Sequence, residues 1–394
     1  MRILYTAIDQ VVPGTLGGST HVQAVAEGLA AIGHEVHVAV GNGDRNHLPA
    51  GVAPPRPERL PVWHDVSAPP NLRLLRRGAI RRIARAVRPD VVIERYHNFG
   101  GEGLLAARDV GARTVLEVNA PVVDYAGSAK RTLDRLLILE PMRRWREWQC
   151  RAADLIVTTD RAILPPDTPA AKVLETEWGA DTTRFHPGAA GPIPFTRESG
   201  DLVAVFAGAF RAWHGVGDLL EAMARLERGR SPWRAVLIGD GPARPGLAAR
   251  ASALGLTRVA FTGALPYTAM PAALAAADAG IAPFDPDAHA PLRQAFYWSP
   301  LKVFEYLASG LPVVLPDLPR LRAIVGADAG VFYDRDAPDG LAAAIDRLTE
   351  PAARTPRAAA ARRLAETRYS WAAHCRVLHD AFTALRPPAS PAAR

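Results

Sequence analysis

Lysine is nearly absent from this chain of 394 residues: Lys130, Lys172 and Lys302 stand among 47 basic residues, and the rest are arginine. Against that background a retained lysine is informative, because a compact ammonium and a planar guanidinium are not interchangeable. Cysteine is equally scarce. Cys150 and Cys375 are too few for a disulfide framework or a structural zinc site. No run approaches the roughly 20 consecutive apolar residues that span a bilayer. The opening segment MRILYTAIDQ is a short strand pattern without the apolar core of a signal peptide. A balance of 48% hydrophobic and 22% charged residues excludes disorder as the main state and fits an ordinary globular chain. The expectation is a soluble, cytoplasmic protein of two or three domains, at about 150 residues each.

Short apolar runs alternate with helix-period segments along nearly the whole chain. Strands are predicted near Arg2–Tyr5, Glu35–Val40, Val91–Glu94, Thr114–Val118 and Leu155–Thr158, with helices such as Ser19–Ala31 and Leu72–Val87 between them. HPGAAGPIPFTRESG, from His186 to Gly200, reads as a linker. The alternation then restarts with strands at Leu202–Phe206, Ala235–Ile238, Val259–Thr262, Gly280–Pro283 and Val313–Leu315. Helices are expected at Gly217–Leu226, Met270–Ala277, Leu301–Ala308 and Leu341–Leu348. Strand–helix–strand repetition with short buried strands implies parallel sheets covered on both faces. Two such blocks imply an α/β protein of two doubly wound domains. Trp371–Leu385 reads as a helix outside the alternation, and the proline-rich run Pro49–Pro70 is too long for an ordinary connection.

Two segments carry candidate chemistry. In GTLGGSTHVQ, Gly17 and Gly18 permit a tight turn and Ser19 or Thr20 can cap the following helix, whose free N–H groups suit an anion. The spacing is neither of the standard glycine-rich nucleotide motifs, and a plain flexible turn would look the same. The stronger segment is SPLKVFEYLASGLPVV. Ser299 is an acceptable N-cap, Pro300 suits the first turn, and Lys302 and Glu305 share one helix face. A helix start and a lysine suit the two phosphates of a nucleoside diphosphate, and a carboxylate suits its ribose hydroxyls. GDGP, from Gly239, is a turn after a strand and is weak by itself.

Taken together, these segments resemble a retaining GT-B glycosyltransferase, similar to glycosyltransferase family 4. The resemblance runs from GGSTHVQAVAEGLAAIGHEVHV through EVNAP and WGADTTRFHP to GAFRAWHGVGDLLEAM, IGDGP and SPLKVFEYLASGLPVV. It implies two Rossmann-like domains facing each other across a cleft. Residues 1–190 form the acceptor-side domain and 191–370 the nucleotide-sugar-binding domain. A helix over 371–387 packs back on the first domain, and 388–394 form a tail. The resemblance implies a nucleoside-diphosphate sugar as donor substrate and a hydroxyl acceptor: a glycan, a small molecule, or a lipid-linked group at the inner membrane face. It further implies retention at the anomeric carbon, with no metal and no other cofactor.

Carried over residue by residue, Glu305 takes the ribose-binding role of the second glutamate in the family's paired-glutamate motif, while Tyr297 stands where the first would fall. The resemblance leaves the backbone amides near Ser299–Leu301 as the substitute contact. Ala209 stands at the family's diphosphate-gripping arginine and His214 at its lysine, so Arg211 and Lys302 are the candidate cations. Asn119 in EVNAP holds a place often given to a histidine near the sugar and can bond a hydroxyl. Trp178, Gly179 and Asp181 match a segment that reads as structural. The expected catalytic set is Lys302, Glu305, His214 and Asn119. Gly17, Gly18, Arg211, Ser299, Pro300, Leu301 and Gly239 are the expected donor-binding set.

Three other patterns compete for attention. Asp285–Pro286–Asp287 mimics a metal-binding D-x-D but reads as a turn. HEVH, from His34, lacks metalloprotease spacing. His21 can meet a phosphate or simply face solvent. Seven arginines between Arg73 and Arg88, with RRWREW from Arg143, suit either an anionic membrane surface or a solvated helix face. No nucleic-acid module accompanies the charge. Two other functions remain open on the sequence: a nucleotide-sugar epimerase of the same fold, and a non-catalytic nucleotide or glycan binder.

Overall fold

The computed structural model describes residues 1–12, 14, 17–42, 60–66, 76–125, 128, 131–132, 134 and 140–385. Most of the Pro49–Pro70 run, the start of the Leu72–Val87 helix, Lys130 and the C-terminal tail lie outside the described residues. The chain divides into two compact units. The first holds Met1–Trp178, Tyr297–Ser299 and the chain from Trp371 onward; the second holds Gly179–Phe296 and Pro300–Ser370. The first division thus falls ahead of the His186–Gly200 segment.

In the first unit the order is β1 (Arg2–Val12), α1 (Gly17–Ala31), β2 (Glu35–Asn42), β3 (Val62–Asp65), α2 (Arg77–Val87), β4 (Val91–Arg95), α3 (Glu102–Val110), β5 (Arg113–Val118), α4 (Pro141–Ala152), β6 (Leu155–Thr158) and β7 (Val173–Glu175). All pairs are parallel, in the order β3-β2-β1-β4-β5-β6-β7. The central strands are mostly apolar, and every residue of β4 and β6 is buried, as parallel strands covered by helices require.

The second unit repeats the plan with β8 (Leu202–Ala207), α5 (Val216–Arg228), β9 (Trp233–Ile238), α6 (Arg244–Ala253), β10 (Val259–Gly263), α7 (Met270–Ala275), β11 (Ala279–Ile281), α8 (Ala290–Gln294), α9 (Leu301–Ala308), β12 (Val313–Pro316), α10 (Pro319–Ala329), β13 (Gly330–Tyr333), α11 (Gly340–Asp346) and α12 (Pro351–Thr367). Its parallel sheet runs β10-β9-β8-β11-β12-β13. Phe206, Phe210, Leu219, Leu220, Met223 and Trp233 lie in its core, each large apolar side chain stabilising the fold by about 1.5–3 kcal/mol. The last helix, α13 (Trp371–Ala384), belongs to the first unit, where it packs on α1.

Both sheets reverse strand order beside their first strand, between β1 and β4 and between β8 and β11. In open parallel sheets that switch point, at the carboxyl ends of the strands, is where ligands sit.

Candidate functional site

In the second unit, α9 is pinned to the switch point by Tyr306. Its hydroxyl accepts from the Ala207 N–H at 2.7 Å and donates toward the Ile281 carbonyl at 3.5 Å, bridging the ends of β8 and β11. Gly280 leaves room for the ring, since a methyl there would press into Tyr306. Lys302 and Glu305, four residues and one residue before Tyr306, are fixed by the same anchor. Neither Tyr306 nor its role is readable from local spacing.

Lys302 is half-buried as a residue, but its Nζ is enclosed and has no hydrogen-bond partner among the described residues. It stands 4.1 Å from the Phe206 ring centroid and 5.2 Å from that of Phe284, so aromatic faces supply part of the stabilisation that water has lost. Gly208 (φ 142°) makes the space: a methyl at that position would stand 2.9 Å from Nζ. Burial pulls the lysine down to a pKa of about 7, against the opposing pull of Glu305. An enclosed, unpaired ammonium is costly, and its natural complement is an anion brought by a ligand.

Glu305 accepts a hydrogen bond from the Tyr267 hydroxyl at 3.0 Å. Burial raises its pKa to about 7, while Tyr267, Lys302 and Arg184 pull the other way. His214 directs Nδ1 to the Ala209 carbonyl, which fixes its ring beside Phe206 and Phe284. Burial first, and Lys302 second, lower its pKa to about 3, so it is a neutral imidazole near pH 7. Arg211 is exposed and lies over the Trp213 ring at 5.7 Å. Gly239 (φ 142°) packs so closely on Gly208 that any side chain would strike the Gly208 carbonyl oxygen. Pro300 and Leu301 open α9, with no side-chain cap. The second unit therefore gathers Lys302, Glu305, His214, Gly239, Pro300 and Leu301.

Ser299 is placed differently. Its hydroxyl accepts from the Trp178 N–H at 2.8 Å and donates to Glu177 at 2.8 Å, so it does not cap α9 and is committed within the first unit. Tyr297 also belongs to the first unit and is buried, its carbonyl accepting from Thr159 at 2.6 Å.

In the first unit, Asn119 follows β5 and donates through Nδ2 to Glu117. Glu117 is the centre of a buried network. Tyr5 donates to it at 2.5 Å, Arg95 at 2.6 Å, and His21 Nε2 lies 3.0 Å away. Burial acts to raise the Glu117 pKa, but His21 and Arg95 outweigh it and hold the carboxyl well below its usual range. Burial lowers the His21 pKa against the pull of Glu117, and Arg95 is the permanent counter-charge. His21 does not face solvent: it is 1% exposed and stacks on Trp178 at 4.3 Å. Gly17 and Gly18 form the first turn of α1 itself rather than a loop before it, and a side chain at Gly18 would strike Gln10.

A cavity of about 10 Å³ lies behind Asn119, against His21 and Trp178, room for about one water. A larger one, about 750 Å³, lies beyond the carboxyl ends of β5 and β6, beside Asp124, Arg143, Arg146, Glu147 and Asp167. The competing patterns resolve structurally. Asp285 and Asp287 both pair with Arg335. In HEVH, His34 bonds His379 while His37 bonds His64. Among the described residues no group of three or more His, Cys, Asp or Glu could hold a metal ion. Ile80, Ala84 and Val87 of α2 are buried, leaving Arg82, Arg85 and Arg88 exposed. In RRWREW, Trp145 and Trp148 stack together, and Arg146 is buried on Asp124. Among the described residues no helix is long and apolar enough to cross a membrane.

The fold recurs in known enzymes. A glycosyltransferase from Rickettsia africae superposes with a TM-score of 0.72 at 15% identity, covering 98% of each chain. Sucrose-phosphate synthase from Thermosynechococcus elongatus gives 0.72 at 16% identity, covering 97% of this chain and 98% of its own. The HepE protein of Anabaena, solved with UDP and glucose, gives 0.69 at 17% identity, covering 98% and 100%. No curated protein sequence matches the chain. Two family models do: Glycosyltransferase Family 4 over residues 16–164 and Glycosyl transferases group 1 over residues 201–350. The chain is a glycosyltransferase of GT-B architecture, with a family 4 domain followed by a group 1 domain.

Proposed function

We propose that the protein transfers a sugar from a nucleoside-diphosphate donor to a hydroxyl acceptor, with retention at the anomeric carbon and without a metal ion. The observation that carries this reading is the enclosed, unpartnered Nζ of Lys302, held three residues before Glu305 at the switch point of the second unit. In that reading Glu305 accepts hydrogen bonds from the ribose, and Lys302 and the start of α9 face the diphosphate.

Cleavage sends the electron pair of the anomeric C–O bond to the leaving phosphate oxygen. Fixed donors in a dry site stabilise that charge, so Lys302 is assigned to the developing diphosphate, while neutral His214, its Nδ1–H given to the Ala209 carbonyl, offers Nε2 as an acceptor. The acceptor oxygen forms the new bond from the leaving-group face while its proton passes to the departing phosphate, giving a retained glycoside and a nucleoside diphosphate. Asn119, its amide nitrogen held by Glu117, keeps Oδ1 for a sugar hydroxyl.

The 750 Å³ cavity of the first unit is within the size range of small-molecule sites, and we assign it to the acceptor. The exposed arginines of α2 favour an acceptor presented at an anionic surface. The similarity to HepE, solved with UDP and glucose, makes UDP-glucose the first donor to try. Incubation with UDP-, GDP- and ADP-sugars and hydroxyl acceptors, with and without EDTA, tests the reading by the configuration of the product. An inverted glycoside, or turnover abolished by EDTA, contradicts it.

A further inference from the structure

Tyr267 lies just beyond the carboxyl end of β10, far from Glu305 in sequence, yet its hydroxyl donates to Glu305 Oε1 at 3.0 Å. The ring is held on two sides: the Arg184 guanidinium lies 5.0 Å from its centroid, and Phe185 packs at 5.6 Å. Arg184 and Phe185 are themselves set by a turn, in which Asp181 Oδ1 accepts from the Thr183 hydroxyl at 2.6 Å and from the Arg184 N–H at 3.2 Å. Thus the segment DTTRF, a buttressed tyrosine and the glutamate of α9 form one rigid stack within the second unit.

A carboxylate on a helix rotates freely unless something takes one of its oxygens. Here one oxygen is already taken, by a donor that cannot leave without breaking the stack. We propose that Tyr267 is a positioning residue for the donor nucleoside: by occupying Glu305 Oε1 it presents Oε2 to the ribose hydroxyls and so sets the preference for a ribonucleotide. The inference rests on the ribose-binding reading of Glu305 and adds a residue to which that reading gives no role. Arg184 contributes through the ring it covers, and with Lys302 and Tyr267 it completes the charged and titratable groups acting on Glu305.

The test compares Tyr267→Phe with the parent protein by calorimetry, using UDP, GDP and ADP and the 2′,3′-dideoxy form of whichever binds tightest. The ring and its packing survive this change, so dideoxynucleotide affinity, expected to stay within about twofold, also reports that the variant is folded. Affinity for the ribonucleotide is expected to fall about tenfold, the worth of one hydrogen bond to a charged group. Losing the tyrosine donor also moves the acid limb of the binding profile to higher pH, which simple loss of packing leaves in place. An unchanged or larger preference for ribose in the variant overturns the role of Tyr267 while leaving the donor site standing. Parent protein that binds ribo- and dideoxynucleotides equally, or binds none of them, overturns the reading of Glu305 and this inference with it.

Discussion

The Nζ of Lys302 stands 4.1 Å from the centroid of the Phe206 ring and has no hydrogen-bond partner among the described residues. Evolution seldom leaves a buried cation unpaired for stability, because desolvation is poorly repaid. Replacing it tests this directly. Lys302→Met should melt at the same or a higher temperature than the parent, while sugar transfer falls by about a hundredfold or more, the usual loss when a fixed transition-state donor is removed. Thermal melts beside initial rates give both halves; lower stability with normal turnover would assign the lysine to structure.

Lys302 and Glu305 together make stability depend on pH in two directions. Lys302 is depressed from 10.5 to about 7, so between those values the unfolded chain keeps a proton that the native protein has lost, and stability rises with pH. Glu305 is raised from 4.5 to about 7, so between those values the native protein keeps the extra proton, and stability falls as pH rises. The two contributions meet in a minimum near neutrality. Denaturation curves from pH 5 to 10 should show this dip in the parent and a shallower one in Lys302→Met combined with Glu305→Gln.

Tyr306→Phe removes the partner of the Ala207 N–H. A buried donor left unsatisfied costs about 1–3 kcal/mol, so the unfolding free energy from urea denaturation should fall by that amount, with a lower midpoint and an unchanged slope. Activity should fall too, because α9 carries both Lys302 and Glu305.

Gly239→Ala is expected to be more damaging than its single methyl suggests. The position has φ 142° and faces the Gly208 carbonyl oxygen, so strain and collision act together. A loss above about 2 kcal/mol is predicted, far beyond the few tenths typical of a surface substitution. Gly246→Ala, inside α6 with no atom near the added methyl, is the control and should be neutral or stabilising.

Much of this was legible in the chain because buried parallel strands advertise themselves as short apolar runs. The edge strands β3, β7 and β13 escaped that reading: β3 and β7 are half exposed and only four and three residues long, and β13 is four residues that follow directly on α10. Helix α12 escaped because Pro356 lies inside it and alanine and arginine give it little apolar periodicity. In the site, Lys302 and Glu305 were readable because residues three apart on a helix share a face. Tyr267 was not, since its partner is 38 residues away. Ser299 was misread as a cap for a related reason. Its neighbours in sequence point to α9, but its hydroxyl answers to Glu177, 122 residues distant, and no local pattern carries that information.

The central claim is that Lys302 and Glu305 hold a nucleoside diphosphate. The most direct measurement is a thermal-shift series with UDP, GDP, dTDP and ADP on the parent protein and on Glu305→Ala. Ligand at a hundred times its dissociation constant adds about 2.7 kcal/mol, several degrees for a protein of this size. The account predicts that at least one ribonucleotide raises the melting temperature and that the rise disappears in the variant. An equal rise in both proteins, or none with any nucleotide, would contradict it.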